Sequence, residues 1–270
     1  MDNEYNRLLN LNTLPDLFEC KSGYLDEEDC SWYHHNWMIL RLLGLVSNPF
    51  WHETFYYETI KKYANPEGKT LVLGTADFSM PYLCQRAGLK DIEICDICKS
   101  PLNICKNVSD YHSFNWKTKE QDIFDGIKSQ YDLIINDAFI TRFSDDKKRK
   151  VFESIYNGLV DGGFYITAFR HGSSNGGPIH ASTEAKQVFI SKAIQSATQK
   201  NLDAQSIIPI ASQYIERIVS YPIQDEAMLN SLISDLFVIE QISTEKVPGE
   251  CASTEYFHVV LRKISHKATS

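Results

Sequence analysis

The stretch Lys69-Thr-Leu-Val-Leu-Gly-Thr-Ala-Asp-Phe-Ser-Met80, followed by Ile92-Glu-Ile-Cys-Asp96, constrains the fold more than any other part of the chain. An apolar run ending at Gly74 reads as a buried strand, the residues up to Met80 as a tight turn opening a helix, and Ile92–Asp96 as a second strand. Two short strands separated by a helix call for a right-handed crossover and a parallel sheet. Gly74 lets the chain turn and approach a ligand closely. Asp96, at the tip of the second strand, is placed to accept hydrogen bonds from a ribose diol; otherwise it is a helix cap or a surface carboxylate.

The same alternation continues downstream. Strands are expected at Thr70–Leu73, Ile92–Cys95, His112–Trp116, Tyr131–Asn136 and Phe164–Ala168, with helices over Met80–Ala87, Pro101–Val108 and Asp145–Leu159, the last closed by Asp161-Gly-Gly163. The unbroken apolar runs Leu71-Val-Leu and Leu133-Ile-Ile suit a sheet covered on both faces. After Arg170 comes a Gly/Ser-rich loop, then helices near Ser182–Lys200, Ala204–Ser220 and Asp225–Leu236, and a closing hairpin of Phe237–Ile242 and Tyr256–Arg262 joined through Gly249. Upstream, residues 1–66 read as an aromatic helical cap: one helix over Ser31–Leu45, a break at Ser47-Asn-Pro49, and a second from Phe50 to Tyr63. The expected architecture is α/β, Rossmann-like and doubly wound. It has a helical N-terminal cap, residues 1–66, and a domain of residues 67–270 with a mainly parallel seven-stranded sheet, an antiparallel C-terminal hairpin and a helical insertion at about 171–236.

Composition narrows the partners. With 270 residues, 43% hydrophobic, the chain has ample material for a core, and its net charge of -8 would repel a phosphate backbone. Nucleic acid is therefore not expected, and Lys147-Lys-Arg-Lys150 reads as a solvated face. No apolar run is long enough to span a membrane, and seven cysteines without a signal peptide suggest a cytoplasmic protein with free thiols, a monomer or homodimer. Cys95-x-x-Cys98 invites a metal or redox reading. No second pair completes four ligands, so the two are read as small buried residues beside a turn, and no metal is expected.

The ordered set Leu-Val-Leu-Gly74-Thr-Ala, Asp96, Asp122, Tyr131-Asp-Leu-Ile-Ile-Asn136, Asp161-Gly-Gly-Phe-Tyr-Ile and a closing hairpin resembles the class I S-adenosylmethionine-dependent methyltransferases over about Lys69 to Lys263. The resemblance implies a turn at Gly74, Thr75, Ala76 and Asp77 under the methionyl part of S-adenosylmethionine. It also implies Asp96 and Ile97 at the ribose and Asp122 and Ile123 at the adenine. Asn136, Asp137 and Ala138 would close the cofactor site, and Phe139 and Arg142 would face the substrate. The usual acid before the first glycine is replaced by Val72, and later glycines by Ala76 and Phe78. The chain is more similar to a bacterial subgroup, associated with small-molecule metabolism, whose turn reads Gly-Thr-Ala-Asp-aromatic and whose second strand ends Asp-x-Cys-x-x-Pro, here Asp96-Ile-Cys98-Lys-Ser-Pro101. Asp122 has a plainer reading as the cap of the turn after it.

Methyl transfer from a sulfonium is a direct displacement, so orientation does most of the work and a base helps an acidic nucleophile. His34, His35 and His171 are the candidate bases; two adjacent helical histidines also fit one surface and one packed residue. Tyr33 and Trp37 offer aromatic walls to a cationic ligand. Arg41 could clamp a carboxylate of cofactor or substrate, or form a surface ion pair, and Arg170 or His171, directly after the fifth strand, could line the pocket at the sheet's carboxyl end. The loop Gly172–Pro178 is a gate or a linker. The expected function is methylation of a small molecule at N or O. Two competing readings remain: a nicotinamide-dependent oxidoreductase of similar fold, against which Asp77 in a phosphate-type turn argues, and a non-catalytic nucleoside-binding module.

Overall fold

A computed structural model describes residues 19–20, 30–172, 178–247 and 254–265. Among them seven strands form one sheet: β1 Lys69–Leu73, β2 Asp91–Asp96, β3 Lys117–Glu120, β4 Tyr131–Asp137, β5 Leu159–Arg170, β6 Phe237–Val247 and β7 Thr254–Lys263. Their order is β3-β2-β1-β4-β5-β7-β6. The first five run parallel, and β7 lies antiparallel between β5 and β6. The winding reverses between β1 and β4, the position where open α/β sheets bind ligands at the strands' carboxyl ends.

Side chains alternate across the strands and feed two cores. Val72, Leu133, Ile135 and Ile166 enter one, while Leu71, Leu73, Ile134 and Tyr165 enter the other. Helices α1 (Ser31–Leu42), α2 (Glu53–Tyr63), α3 (Ser79–Arg86) and α4 (Lys99–His112) supply the first core. Helix α5 (Asp145–Gly158) supplies the second through Val151, Phe152 and Ile155. The cap helices thus share the core of the sheet: Trp37, Met38 and Leu40 of α1 and Phe55 and Tyr56 of α2 pack in the same cluster as Val72.

The expected elements form, with three changes. The third strand is Lys117–Glu120, not His112–Trp116. His112 instead ends α4, Ser113 turns the chain with φ 57, and Phe114 stacks on His112 and packs beside Trp116. The real strand is a polar edge, so it lacks the apolar pattern that marks strands. Asp161-Gly-Gly163 does not close a helix but lies inside β5, where Gly162 has φ 74 beside a register shift against β4. The helical insertion divides between the faces. Helices α6 (Thr183–Gln199) and α7 (Ala204–Arg217) join the first core through Phe189, Ala193, Ala211 and Tyr214, whereas α8 (Glu226–Ile233) joins the second through Leu229 and Ile233. Residues 173–177 of the expected gate, Gly249 of the hairpin turn, and residues 1–18 and 21–29 of the cap lie outside the described residues.

Candidate functional site

A cavity opens at the β1/β4 switch point, floored by the turn after β1 and by the tip of β4. Gly74, Thr75, Ala76 and Asp77 line one side, Asn136, Asp137, Ala138 and Phe139 the other, and Tyr33, Trp37 and Arg41 of α1 with Tyr214 of α7 form the wall above. Arg142 and Arg170 complete the polar lining. Every residue expected to face the substrate therefore meets in one place, together with seven of the eleven expected at the cofactor.

Gly74 has φ 63, and the Phe139 ring lies so close that a Cβ at Gly74 would stand 2.1 Å from it. Both facts demand glycine there. Asp77, in the turn that follows, is buried, and its carboxylate is fully engaged. One oxygen accepts the Trp37 indole N–H at 2.8 Å and pairs with the Arg41 guanidinium at 2.9 Å; the other accepts the Ser79 N–H at 2.7 Å. Trp37 and Arg41 sit one turn apart on α1, so this buried ion pair anchors the cap to the β1 turn. Arg41 is consequently no surface ion pair.

Asn136 and Asp137 end β4. The Asn136 side-chain oxygen accepts from the Tyr165 and Thr167 hydroxyls at 3.1 and 2.7 Å, while its buried amide nitrogen has no partner among the described residues. Such a donor costs free energy unless something in the cavity accepts from it. Tyr56 of α2 lies between the strand tips, donating toward the Asn136 carbonyl and the Asp137 carboxyl at 2.9 and 2.8 Å and accepting the Ala168 N–H at 2.9 Å. Burial pushes Asp137 up to about 7, against the opposing pull of Tyr56 and Arg41. A carboxyl poised near neutrality at a cavity wall is a candidate proton acceptor. Ala138, next in the chain, holds φ 53, a conformation uncommon for alanine and held by the Ala138 N–H to Ala168 carbonyl bond at 2.8 Å.

The wall is aromatic. Tyr33 packs on Trp37 with ring centroids 4.6 Å apart, Tyr214 stacks on Tyr33 at 6.4 Å, Arg41 lies over Trp37 at 5.0 Å and Arg142 over Tyr33 at 4.9 Å. Burial pushes the Tyr33 phenol up to about 12, so it stays protonated.

Other expected residues fall outside this lining. Asp96, half-buried at the tip of β2, accepts the Cys98 N–H at 2.8 Å. Asp122 caps the short turn Ile123–Asp125 by accepting the Phe124 N–H at 2.9 Å, the plainer of its two readings, and Ile123 is buried in the second core. Ile97, half-buried, follows Asp96. None of the three histidines lines the cavity. His35 is exposed, His171 stacks on Phe257 at 4.1 Å, and His34 is buried with its Nδ1 3.6 Å from the Cys20 sulfur. Cys95 and Cys98 also part company: Cys95 faces the Gln121 carbonyl and Cys98 faces Cys30.

The raised carboxyl of Asp137 and Tyr214 as a wall residue were not legible in the sequence. Asp137 was expected at the cofactor rather than as a titrating group, and Tyr214 is brought in by α7, far away in sequence.

No protein-family model matches this sequence, and no curated protein matches it. The fold does have solved counterparts. A structure described as a SAM-dependent methyltransferase from Methanosarcina mazei matches with TM-score 0.53 and 13% identity, over 77% of this chain and 97% of that one. The N-methyltransferase NodS from Bradyrhizobium japonicum, solved with S-adenosyl-L-homocysteine, matches with TM-score 0.51 and 10% identity over 82% and 91%. The Burkholderia thailandensis 1,6-didemethyltoxoflavin-N1-methyltransferase, with its substrate and S-adenosylhomocysteine bound, matches with TM-score 0.53 and 11% identity over 77% and 76%. The chain has the Rossmann-like fold of these methyltransferases.

Proposed function

We propose that this protein is an S-adenosylmethionine-dependent methyltransferase acting at N or O of a small, anionic molecule. The observation that carries the reading is the cavity at the β1/β4 switch point, where the Gly74–Asp77 turn, the unpartnered Asn136 amide and the Tyr33–Trp37 wall converge. These residues suit the cofactor: aromatic faces and nearby carboxyls favour a cationic sulfur, and the orphaned amide donor awaits an oxygen. S-adenosylmethionine would supply an activated methyl group. Arg41, held by Asp77, is then the group to take a methionyl carboxylate, a change from the expectation that Asp77 itself makes the contact.

Asp137 takes a proton from the acceptor atom, being the titratable carboxyl at the cavity wall with a value near neutrality. An anionic acceptor follows from Arg142 and Arg170. Arg142 rests on Tyr33, and Arg170 donates a long bond to the Thr254 hydroxyl at 3.4 Å, so among the described residues neither is neutralised by a carboxylate. A nicotinamide dinucleotide fits poorly, since the turn after β1 has Ala76 and Phe78 where a pyrophosphate-binding turn carries its further glycines.

The test is thermal melting with S-adenosylmethionine, S-adenosylhomocysteine, NAD(H) and NADP(H). A ligand at about 100 times its Kd stabilises by roughly 2.7 kcal/mol, expected as a rise of about 2–4 °C with the adenosyl-sulfur ligands alone. A rise with the nicotinamides alone overturns the reading. Binding without methyl transfer to any member of a carboxylate and phosphate panel would identify a nucleoside-binding module instead.

A further inference from the structure

Outside the cavity, four soft or borderline ligand atoms converge. Cys20, Cys30, His34 and Cys98 each bring one candidate ligand atom into a cluster whose members all lie within 4.8 Å of one another. Cys30 Sγ lies 3.6 Å from Cys98 Sγ, and Cys20 Sγ lies 3.6 Å from His34 Nδ1. A tetrahedral zinc with Zn–S near 2.3 Å and Zn–N near 2.0–2.1 Å requires sulfur–sulfur edges of about 3.8 Å and sulfur–nitrogen edges of about 3.6 Å. The Cys30–Cys98 and Cys20–His34 edges, both 3.6 Å, are of that size, and the remaining pairs, all within 4.8 Å, need to close by no more than about 1 Å. A disulfide does not explain the set, because bonded sulfurs are about 2.05 Å apart and the imidazole would have no role.

We propose that Cys20, Cys30, His34 and Cys98 form a structural zinc site that fastens the N-terminal arm to the chain just beyond β2. Four protein ligands leave no open position, which marks a structural rather than a catalytic metal. The surroundings suit thiolates. Cys30 stands at the N-terminus of α1 and Cys98 at that of α4, where the helix dipoles favour negative charge. The buried Ser100 hydroxyl, 3.1 Å from Cys20 Sγ, donates to that sulfur once it is a thiolate. On binding, each thiol exchanges its proton for a bond to zinc through the sulfur lone pair, and the neutral His34 ring gives its Nδ1 lone pair; nothing is oxidised or reduced.

The consequence for the cavity is direct. His34 lies between Tyr33 and Trp37 on the helix whose face walls the cavity, so the metal would set the position of that wall. A metal-bound His34 is also unavailable as a general base.

The test uses the full chain under reducing conditions, stripped of metal and reconstituted with zinc or cobalt(II). The expected result is about one zinc per chain, as a single tetrahedral site requires, and for cobalt the intense visible and thiolate charge-transfer bands of tetrahedral sulfur ligation. Cys20→Ser and Cys98→Ser should lose zinc to a chelating dye, Cys84→Ser should not, and Ser100→Ala, which leaves all four ligands in place, should weaken retention by roughly 10–100-fold. A chain that takes up no zinc, an octahedral cobalt spectrum, iron in place of zinc, a Cys30–Cys98 disulfide persisting under reduction, or equal retention in Cys20→Ser and Cys84→Ser would each overturn the assignment.

Discussion

At Gly74 two demands coincide, a left-handed backbone and a ring where a Cβ would go. Gly74→Ala should therefore destabilise by about 2–6 kcal/mol, with backbone strain and overpacking each contributing about 1–3 kcal/mol. Adding Phe139→Ala should recover only the steric part, and a neutral Gly74→Ala in urea unfolding would remove the argument. Asp77→Asn leaves the buried Arg41 guanidinium without its counter-charge, a loss of about 3–5 kcal/mol. The double variant Asp77→Asn/Arg41→Met should unfold at higher denaturant than the single one; an equal midpoint would mean the pair is not coupled. For Asp137 the folded value, about 7, lies above the ordinary 3.8. Its contribution to stability is complete below about pH 4 and is lost as pH rises through about 7. If it is the base, kcat should rise through that same window, and Asp137→Asn should abolish the rise and lower kcat by roughly 10²–10⁴-fold.

At the scale of elements, the contacts between the cap and the sheet matter most. Tyr56 of α2 joins β4 to β5, the Trp37–Arg41 face of α1 holds the β1 turn, and the segment Pro49–His52 meets β7 through a buried histidine pair. His52 Nδ1 lies 2.8 Å from His258 Nε2. Burial pushes both histidines down to about 4, and the His52 charge adds to the effect on His258. Their folded values lie below the unfolded 6.5, so the stability they contribute is present above about pH 6.5 and is lost as pH falls through about 4. The urea midpoint should drop across that window, and His52→Gln should flatten the drop. A midpoint that stays constant between those pH values in the parent chain would contradict the pairing. Helix α1 shows why single elements resist reading from sequence. Its period marked a buried face, yet that face carries a cavity wall, an ion-pair partner and a thiol-facing histidine at once.

For the whole molecule, the parallel core of the sheet, its closing hairpin and the glycine turn that borders the cavity were all legible in the residues. Alternation of period 2 and period 3.6 reports burial, and burial follows from local pattern in strands covered on both faces. Gly74 and Asp77 were legible for a related reason, since a tight turn and a carboxylate in it are local chemistry. β3 escaped because it is an edge: with little to bury, it needs no apolar pattern. The division of the insertion between the two faces, the pairing of Arg41 with Asp77, the arrival of Tyr214 at the wall and the gathering of Cys20 and Cys30 with Cys98 escaped for a different reason. Each joins residues from distant parts of the chain, and no local periodicity encodes which of several apolar or polar faces will meet. The sequence alone determined the α/β sheet, the turn and the acids that end its strands, because those depend on neighbours along the chain. Which side chains share the cavity, and which sulfurs share a point in space, was decided only when the packing of α1 and α7 against the sheet closed those long-range contacts.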